Sequence, residues 1–512
     1  MHIEQDGQAN RKNSDFANLF ILWVIASCIG VYLIATTALI AKDGVNFIHY
    51  AQQIGIAPLE IIKHNYQHPG YPGLILTGHQ IAQAFHTDTS ILSWIYCAQS
   101  TALLFRLLTF TVLYFISKHL IGAKLGFWAI LIFILLPDPA EFGSDALSDW
   151  PHLFFLSLGL LLLFKGATKA QWPLFGLAGL VAGAGYLIRP ECMQVVLLGC
   201  LWLGWQLIQP RTINRTQACY GLAILVVGFA ALAGPYMAIK SDIFPKKHLN
   251  LFSQNATPTQ TFSETGPLPS TQPKPISQTI IISKATWKLI GNMCDTLMWF
   301  FVPALWIGLY RWFKTRTWHE PEVFFITAMT LLNIMIMFWL FAKYGYMSNR
   351  HTLPLLMLPI LFVPVGLQEC AIGLQQKFSG KACTGNTANP NRYLWFLALV
   401  LAGAAFCAPK LLSPIRIEKQ EFRVAAKWLE TNTDPGAIIA VPDERISFYA
   451  QRKGILYKNE LFPENVDYLV TIPEKQKKGM LPAVTPSGTL EYEYPVAKKE
   501  KGVIVSIYKM NR

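Results

Sequence analysis

The chain has 512 residues, 53% of them hydrophobic and 14% charged, with a mean hydropathy of +0.34 and a formal net charge of +13. Soluble domains carry about 25% charged residues, so the composition excludes a soluble globular protein and marks a polytopic membrane protein. The positive charge does not point to nucleic acid: the basic residues fall in short connections between apolar runs, as in cytoplasmic loops, not in a phosphate-tracking stripe. The nine cysteines include no CxxC pair, and most lie inside apolar runs, so they read as small core residues.

A first apolar run, Ala17 to Ala41, is long enough to cross a bilayer and is read as a retained anchor. Arg11 and Lys12 before it predict a cytoplasmic N-terminus. Residues 42–90 then lie on the outer side, with Tyr71 to Phe85 expected to rest on the membrane surface. Further spans are predicted at Ile91–Ser117, Leu125–Pro137, from Asp149 to Lys165, Trp172–Ile188, Cys192–Ile208, Ala218–Ile239, a segment ending at Arg311, Val323–Ala342, a segment ending near Lys377 and one ending near Pro409. The total is about 11, with Lys or Arg at every inner connection. The outer loops are 42–90, 138–149 and 240–284, the last rich in Ser, Thr, Pro and Gln and read as flexible.

Residues 1–413 are thus a transmembrane module, and the composition changes over 414–512. Phe422, Ala425, Ala426 and Leu429 share one face of a predicted helix over Glu418–Leu429. Short strand-like runs follow at 437–441, 455–457, 466–471 and 502–508. The tail reads as a small α/β domain on the outer face. It carries no paired acids, Gly-rich loop or ligand cluster. Its lysine runs at 475–478 and 498–499 read as solvated faces. It is expected to bind or position an acceptor, and a truncation near Ser413 to leave the donor site formed while weakening acceptor use or protein stability.

The candidate chemistry lies at span mouths. Asp43 follows the first run, and in a helix it shares a face with Phe47, Tyr50 and Ile54. An acid above an aromatic stripe suits a hydroxyl acceptor or a sugar; the alternative is a helix cap. Asp138, Glu141, Asp145 and Asp149 are spaced as one helical stripe, either a solvated face or part of a site. Asp149, at the mouth of a span, could carry a second role: orienting the acceptor or holding a divalent cation. His68, in the rigid Gln67-His68-Pro69-Gly70-Tyr71-Pro72 segment, is either structural or a phosphate or metal contact. Arg189 and the pair Arg350-His351 stand at outer span ends. A guanidinium there either grips phosphate oxygens or snorkels to water. Arg106 lies inside the second span with no partner evident from sequence.

Taken together, these segments resemble the GT-C superfamily of integral-membrane glycosyltransferases. The likeness is to the branch of protein O-mannosyltransferases and lipid A aminoarabinose transferases, glycosyltransferase family 39-like. It rests on Asp43 with Tyr50-Ala51, on His68 to Pro72, on Leu147-Ser148-Asp149, on Tyr186 to Glu191 and on Arg350 to Pro354, in order along the chain. One position departs: the family often has Glu after the first acid, and here Gly44 replaces it. The resemblance implies a bacterial inner (plasma) membrane protein with an extracytoplasmic tail. It would move a hexose or pentose from a polyprenyl-phosphate donor to a lipid, glycan or protein acceptor. Asp43 would then act as general base with Asp149 beside it. Arg189, Arg350, His68 and His351 would hold the donor phosphate, and Tyr50, Phe47 and Tyr71 the acceptor or sugar. A secondary transporter or lipid flippase is the main alternative, an assembly scaffold a second. The absence of two related halves in the sequence weighs against transport.

Overall fold

The computed structural model describes residues 2–85, 90–241, 278–379, 390–457, 463, 465–472, 488–494 and 505–510. Most of the expected flexible loop 240–284, its residues 242–277, and both lysine runs of the tail lie outside the described residues, while 278–284 are helical rather than loop.

Nineteen described α-helices run in chain order: α1 His2–Thr36, α2 Lys42–Ile54, α3 Pro58–His64, α4 Gly70–Phe85, α5 Ile91–Ile121, α6 Ala123–Leu135, α7 Pro137–Phe142, α8 Asp149–Thr168, α9 Pro173–Tyr186, α10 Met193–Ile208, α11 Arg215–Lys240, α12 Gln278–Thr296, α13 Val302–Lys314, α14 Pro321–Tyr344, α15 Asn349–Leu356, α16 Val363–Ser379, α17 Pro390–Leu411, α18 Gln420–Asn432 and α19 Glu444–Ala450. Among the described residues, seven segments are long and apolar enough to cross a membrane: Ser14–Thr36, Ile91–Ile121, Asp149–Thr168, Pro190–Ile208, Arg215–Lys240, Pro321–Tyr344 and Tyr393–Leu411. An eighth is bent by 60° between Asn349–Leu356 and Pro359–Phe378. The helices α6 and α9 are apolar but shorter, and the predicted eighth span is two helices, α12 and α13. The expected count of about 11 therefore resolves into seven or eight full-length spans and several shorter apolar pieces.

The helices pack closely because small residues stand at the crossings, as van der Waals packing in lipid requires. A Cβ on Gly179 of α9 would lie 2.1 Å from the carbonyl oxygen of Leu225 on α11, so a larger residue there would push the two helices apart. A continuous apolar core runs through α5, α6, α8, α10 and α14, including Phe110, Phe133, Trp150, Phe164, Trp202 and Phe325.

The first apolar run ends as helix at Thr36, and the chain is irregular, bent at Ala38 and Leu39, before α2 begins at Lys42. Tyr71–Phe85 is helical, as expected, within α4. The tail forms a five-stranded sheet of β1 Ile438–Val441, β2 Lys453–Leu456, β3 Tyr468–Thr471, β4 Gly488–Tyr494 and β5 Val505–Met510, in the order β2-β1-β3-β5-β4. The strands β2, β1 and β3 are parallel, while β5 runs antiparallel to both β3 and β4. Helix α18 buries Ala425, Ala426 and Leu429 in the tail core. The sequence reading found four of these strands and α18. It missed β4, whose alternation of polar and aromatic residues is exposed, and the short α19.

Candidate active site

Helix α2 places Asp43 in its first turn. The cap position is Ala41, with no side-chain cap, so the helix-cap reading of Asp43 does not hold. The Asp43 carboxylate is half exposed and accepts a hydrogen bond from Arg350 Nη1 at 2.8 Å. Arg350 Nε lies 3.1 Å from Asp149 Oδ2, and Asp149 Oδ1 lies 3.1 Å from Arg189 Nη2. Arg189 also donates from Nε to the Ser148 hydroxyl at 2.9 Å. Four groups from four separated regions of the chain thus form one chain of charge, Asp43–Arg350–Asp149–Arg189. Asp149 is buried, with an oxygen turned to each guanidinium. That geometry fits a residue that orients two cations. Among the described residues no group of three or more His, Cys, Asp and Glu could hold a metal.

Gly44 has a steric cause. A Cβ there would sit 2.8 Å from the Ala146 side chain and 2.9 Å from the Ala146 carbonyl oxygen. Helix α2 therefore lies directly on the acid-rich loop, and the Glu frequent at this position in the resembling family has no room here.

The four acids of 138–149 do not form one stripe. Helix α7 stops at Phe142, and an irregular turn follows to Ser148. Nor are they a solvated face, because Asp138, Asp145 and Asp149 are buried and each meets a cation. Asp138 pairs with Lys410 and accepts from Asn349 at 2.7 Å. Asp145 pairs with Arg416 at 2.6 Å, and its Oδ1 accepts from the backbone N–H of Ala41 and Ala146 at 3.0 and 2.8 Å. Arg106 is fully buried. It donates to the carbonyl of Ile134 near the end of α6 and lies over the rings of Phe110 and Trp150. It therefore steadies the start of the acid-rich segment, which Trp150 also ties by donating to the Pro139 carbonyl.

The tail reaches across to the same place. Arg445 makes two 2.8 Å hydrogen bonds to Asp443 and a third, at 3.2 Å, to the carbonyl of Ile40. The Tyr449 hydroxyl accepts from Ile40 N–H, Arg416 donates to the Leu39 carbonyl, and the Ala38 N–H donates to the Ile415 carbonyl. Lys42 pairs with Asp443 at 3.3 Å. The irregular stretch that aims Asp43 is thus held by the tail and the acid loop together. Sequence reasoning missed Arg416 and Arg445, because neither lies in a local motif.

The remaining expected residues separate. Tyr50 is buried on α2, and its hydroxyl has no partner among the described residues. Phe47 meets Tyr71 edge to face at 5.0 Å. Tyr71 is buried and donates to the Ala98 carbonyl at 3.1 Å. His351 bonds back to Ser348 in a capping box and so sets the start of the helix that carries Arg350. His68 packs against Tyr186 and Tyr236, both at 5.2 Å. His152, three residues after Asp149 in the buried face of α8, was not singled out from sequence.

Residues 96–233 match the model of the family described as dolichyl-phosphate-mannose-protein mannosyltransferase. No curated protein matches the chain. The chain is similar in structure to ArnT from Cupriavidus metallidurans bound to undecaprenyl phosphate, with 11% identity and TM-score 0.54 over 97% of this chain and 98% of that one. The apo state of that ArnT gives 12% identity and TM-score 0.55, over 95% and 97%. The archaeal oligosaccharyltransferase AglB from Archaeoglobus fulgidus, in complex with an inhibitory peptide and a dolichol-phosphate, gives 11% identity and TM-score 0.52. That match covers 87% of this chain, which spans only 64% of the oligosaccharyltransferase's length. The chain is therefore a multi-pass membrane protein with the GT-C fold of integral-membrane glycosyltransferases, and its match to the mannosyltransferase family lies over residues 96–233.

Proposed function

We propose that the protein transfers a sugar from a polyprenyl-phosphate donor to a hydroxyl-bearing lipid, glycan or protein acceptor, on the outer face of a bacterial inner membrane. The observation that carries this reading is the Asp43–Arg350–Asp149–Arg189 network beneath the tail. It joins one half-exposed carboxylate to two guanidiniums locked by a buried one. An acceptor hydroxyl has a pKa far above 7 and needs a base as it attacks. A positioned carboxylate supplies about a hundredfold to ten-thousandfold. In the reaction the acceptor oxygen bonds to the anomeric carbon, the bond from that carbon to the phosphate oxygen breaks, and the acceptor proton passes to Asp43. The phosphate leaves with added negative charge, which preorganised guanidiniums stabilise. Arg350 touches both acids, so it can exchange Asp43 for a phosphate oxygen while Asp149 keeps it in place.

The named ligands of structurally similar proteins support the donor class. Undecaprenyl phosphate is bound to ArnT, and AglB is in complex with a dolichol-phosphate. The test is mass spectrometry of glycolipids and glycoproteins from a deletion strain complemented with wild type or with Asp43→Asn. One sugar modification should be lost, and restored by the wild type alone. Transport of a labelled envelope precursor by purified protein, with no covalent product, would replace this reading with the carrier.

A further inference from the structure

Beside the charged network lies a set of buried polar groups without protein partners. The hydroxyls of Tyr50 and Tyr236 and both ring nitrogens of His152 have no hydrogen-bond partner among the described residues. Their residues are 1%, 5% and 1% exposed. They come from three helices, α2, α11 and α8. An unpaired buried donor or acceptor costs about 1–3 kcal/mol, and folded proteins keep few of them. Such groups therefore need a reason.

Ring contacts and electrostatic interactions link them in a series. Tyr236 lies against Tyr186, with ring centroids 6.3 Å apart, and within electrostatic reach of the Tyr50 hydroxyl. The His68 ring packs on both Tyr186 and Tyr236. His152 is within electrostatic reach of Glu191, Arg189 and Asp149, and Glu191 is in turn within reach of His68. The group therefore adjoins the end of the network that holds Arg189. Its chemistry is distinctive: aromatic faces with uncharged hydroxyl and imidazole groups. Burial pushes the Tyr50 phenol well above its ordinary pKa, so it remains an O–H that can both donate and accept. Aromatic faces with neutral hydrogen-bonding tips match the C–H faces and hydroxyls of a sugar ring. A phosphate would demand cations instead. His68 sits in the irregular stretch 65–69 between α3 and α4.

We propose that Tyr50, Tyr236 and His152, with the rings of His68 and Tyr186, form the subsite that grips the glycosyl group of the donor, next to the guanidiniums that take its phosphate. The proposal rests on the glycosyltransferase reading and adds to it the part of the protein that tells a sugar-loaded lipid from a bare one.

The test uses the full chain in lipid nanodiscs. Binding is measured for bare undecaprenyl phosphate and for undecaprenyl phosphate carrying mannose, glucose or an aminopentose. The wild type should bind at least one sugar-loaded lipid more tightly than the bare one. Tyr50→Phe and Tyr236→Phe keep the rings and remove the hydroxyls. Each should reduce that preference about three- to tenfold, the worth of a neutral hydrogen bond, with affinity for the bare lipid unchanged and no loss of thermal stability. Phe variants that keep the full preference overturn the subsite, and so do variants that unfold at clearly lower temperature, since the hydroxyls would then be structural. A wild type that binds the bare lipid but prefers no sugar-loaded one also overturns the subsite. A wild type that binds neither lipid refutes the donor class itself, and the subsite falls with it.

Discussion

Asp43 and Asp145 both stand in connections at the tail-side end of the helix bundle, and both meet an arginine. Asp145 is fully buried, and it is satisfied by Arg416 and two backbone N–H groups. Asp43 is half exposed, and Arg350 shares its charge with Asp149. The first is a pin that joins α2, the acid loop and the tail. The second keeps an open side toward solvent and a cation shared with another acid. The difference teaches that an acid–arginine pair has no fixed meaning. Exposure and the number of fixed partners decide whether it holds the structure or meets a substrate.

The comparison is tested most severely by removing the pins. Truncation near Ser413 takes away Arg416 and Arg445 and leaves Asp145 buried without its cation. Breaking one side of a buried pair costs about 3–5 kcal/mol. The expectation from sequence is that such a truncation leaves the donor site formed and weakens acceptor use or stability; the contacts of Arg416 and Arg445 favour the loss of stability. Truncated protein and Asp145→Ala should both lose most of their folded yield in size-exclusion and melting assays. Folded, donor-binding protein from either would break the distinction. Asp43→Asn should do the opposite, leaving yield and melting temperature near wild type while transfer falls by at least about a hundredfold. Near-normal turnover would remove Asp43 as the base.

Smaller effects sharpen the picture. Arg189→Lys and Arg350→Lys keep a charge but lose the planar fork, and should raise the apparent donor KM by about tenfold, read from initial rates. An unchanged KM in both would take the phosphate elsewhere. The smallest effects concern pH. Burial alone would raise Asp443, but the hydrogen bonds and charge of Arg445, with Lys42, outweigh it and hold the carboxyl below its usual range. A lowered pKa contributes stability above the unfolded value of about 3.9, lost as pH falls through the folded value. Glu141 is raised by burial, which Arg416 only partly offsets, with Asp145 and Asp138 adding to the rise. Its contribution is present below the unfolded value of about 4.3 and lost as pH rises through the folded one. At neutral pH, Asp443→Asn should therefore lower the melting temperature and Glu141→Gln raise it slightly, both differences shrinking in acid. Shifts of the same sign would contradict the assignment.

Much of the membrane architecture is legible along the chain, because lipid forces each crossing to satisfy its own backbone in a helix and to show an apolar surface. The runs around Ile91, Asp149, Cys192, Ala218 and Val323 needed no neighbour to be recognised. Short crossings such as α6 and α9, and the break between α12 and α13, are where length alone gave too little signal. Asp43, Asp149, Arg189 and Arg350 were singled out because charge at a span mouth is rare and costly. Their joining into one network was not legible, since Asp43 and Arg350 are 307 positions apart. Nor was the fate of the other acids, because a spacing of three and four is shared by a solvated stripe and by the buried, turned segment that exists here. The tail shows the same division. Its helix and most of its strands follow from local periodicity. Its hold on residues 38–42 does not, because those hydrogen bonds go to a stretch nearly 400 positions away, and only the packed chain brings the two together.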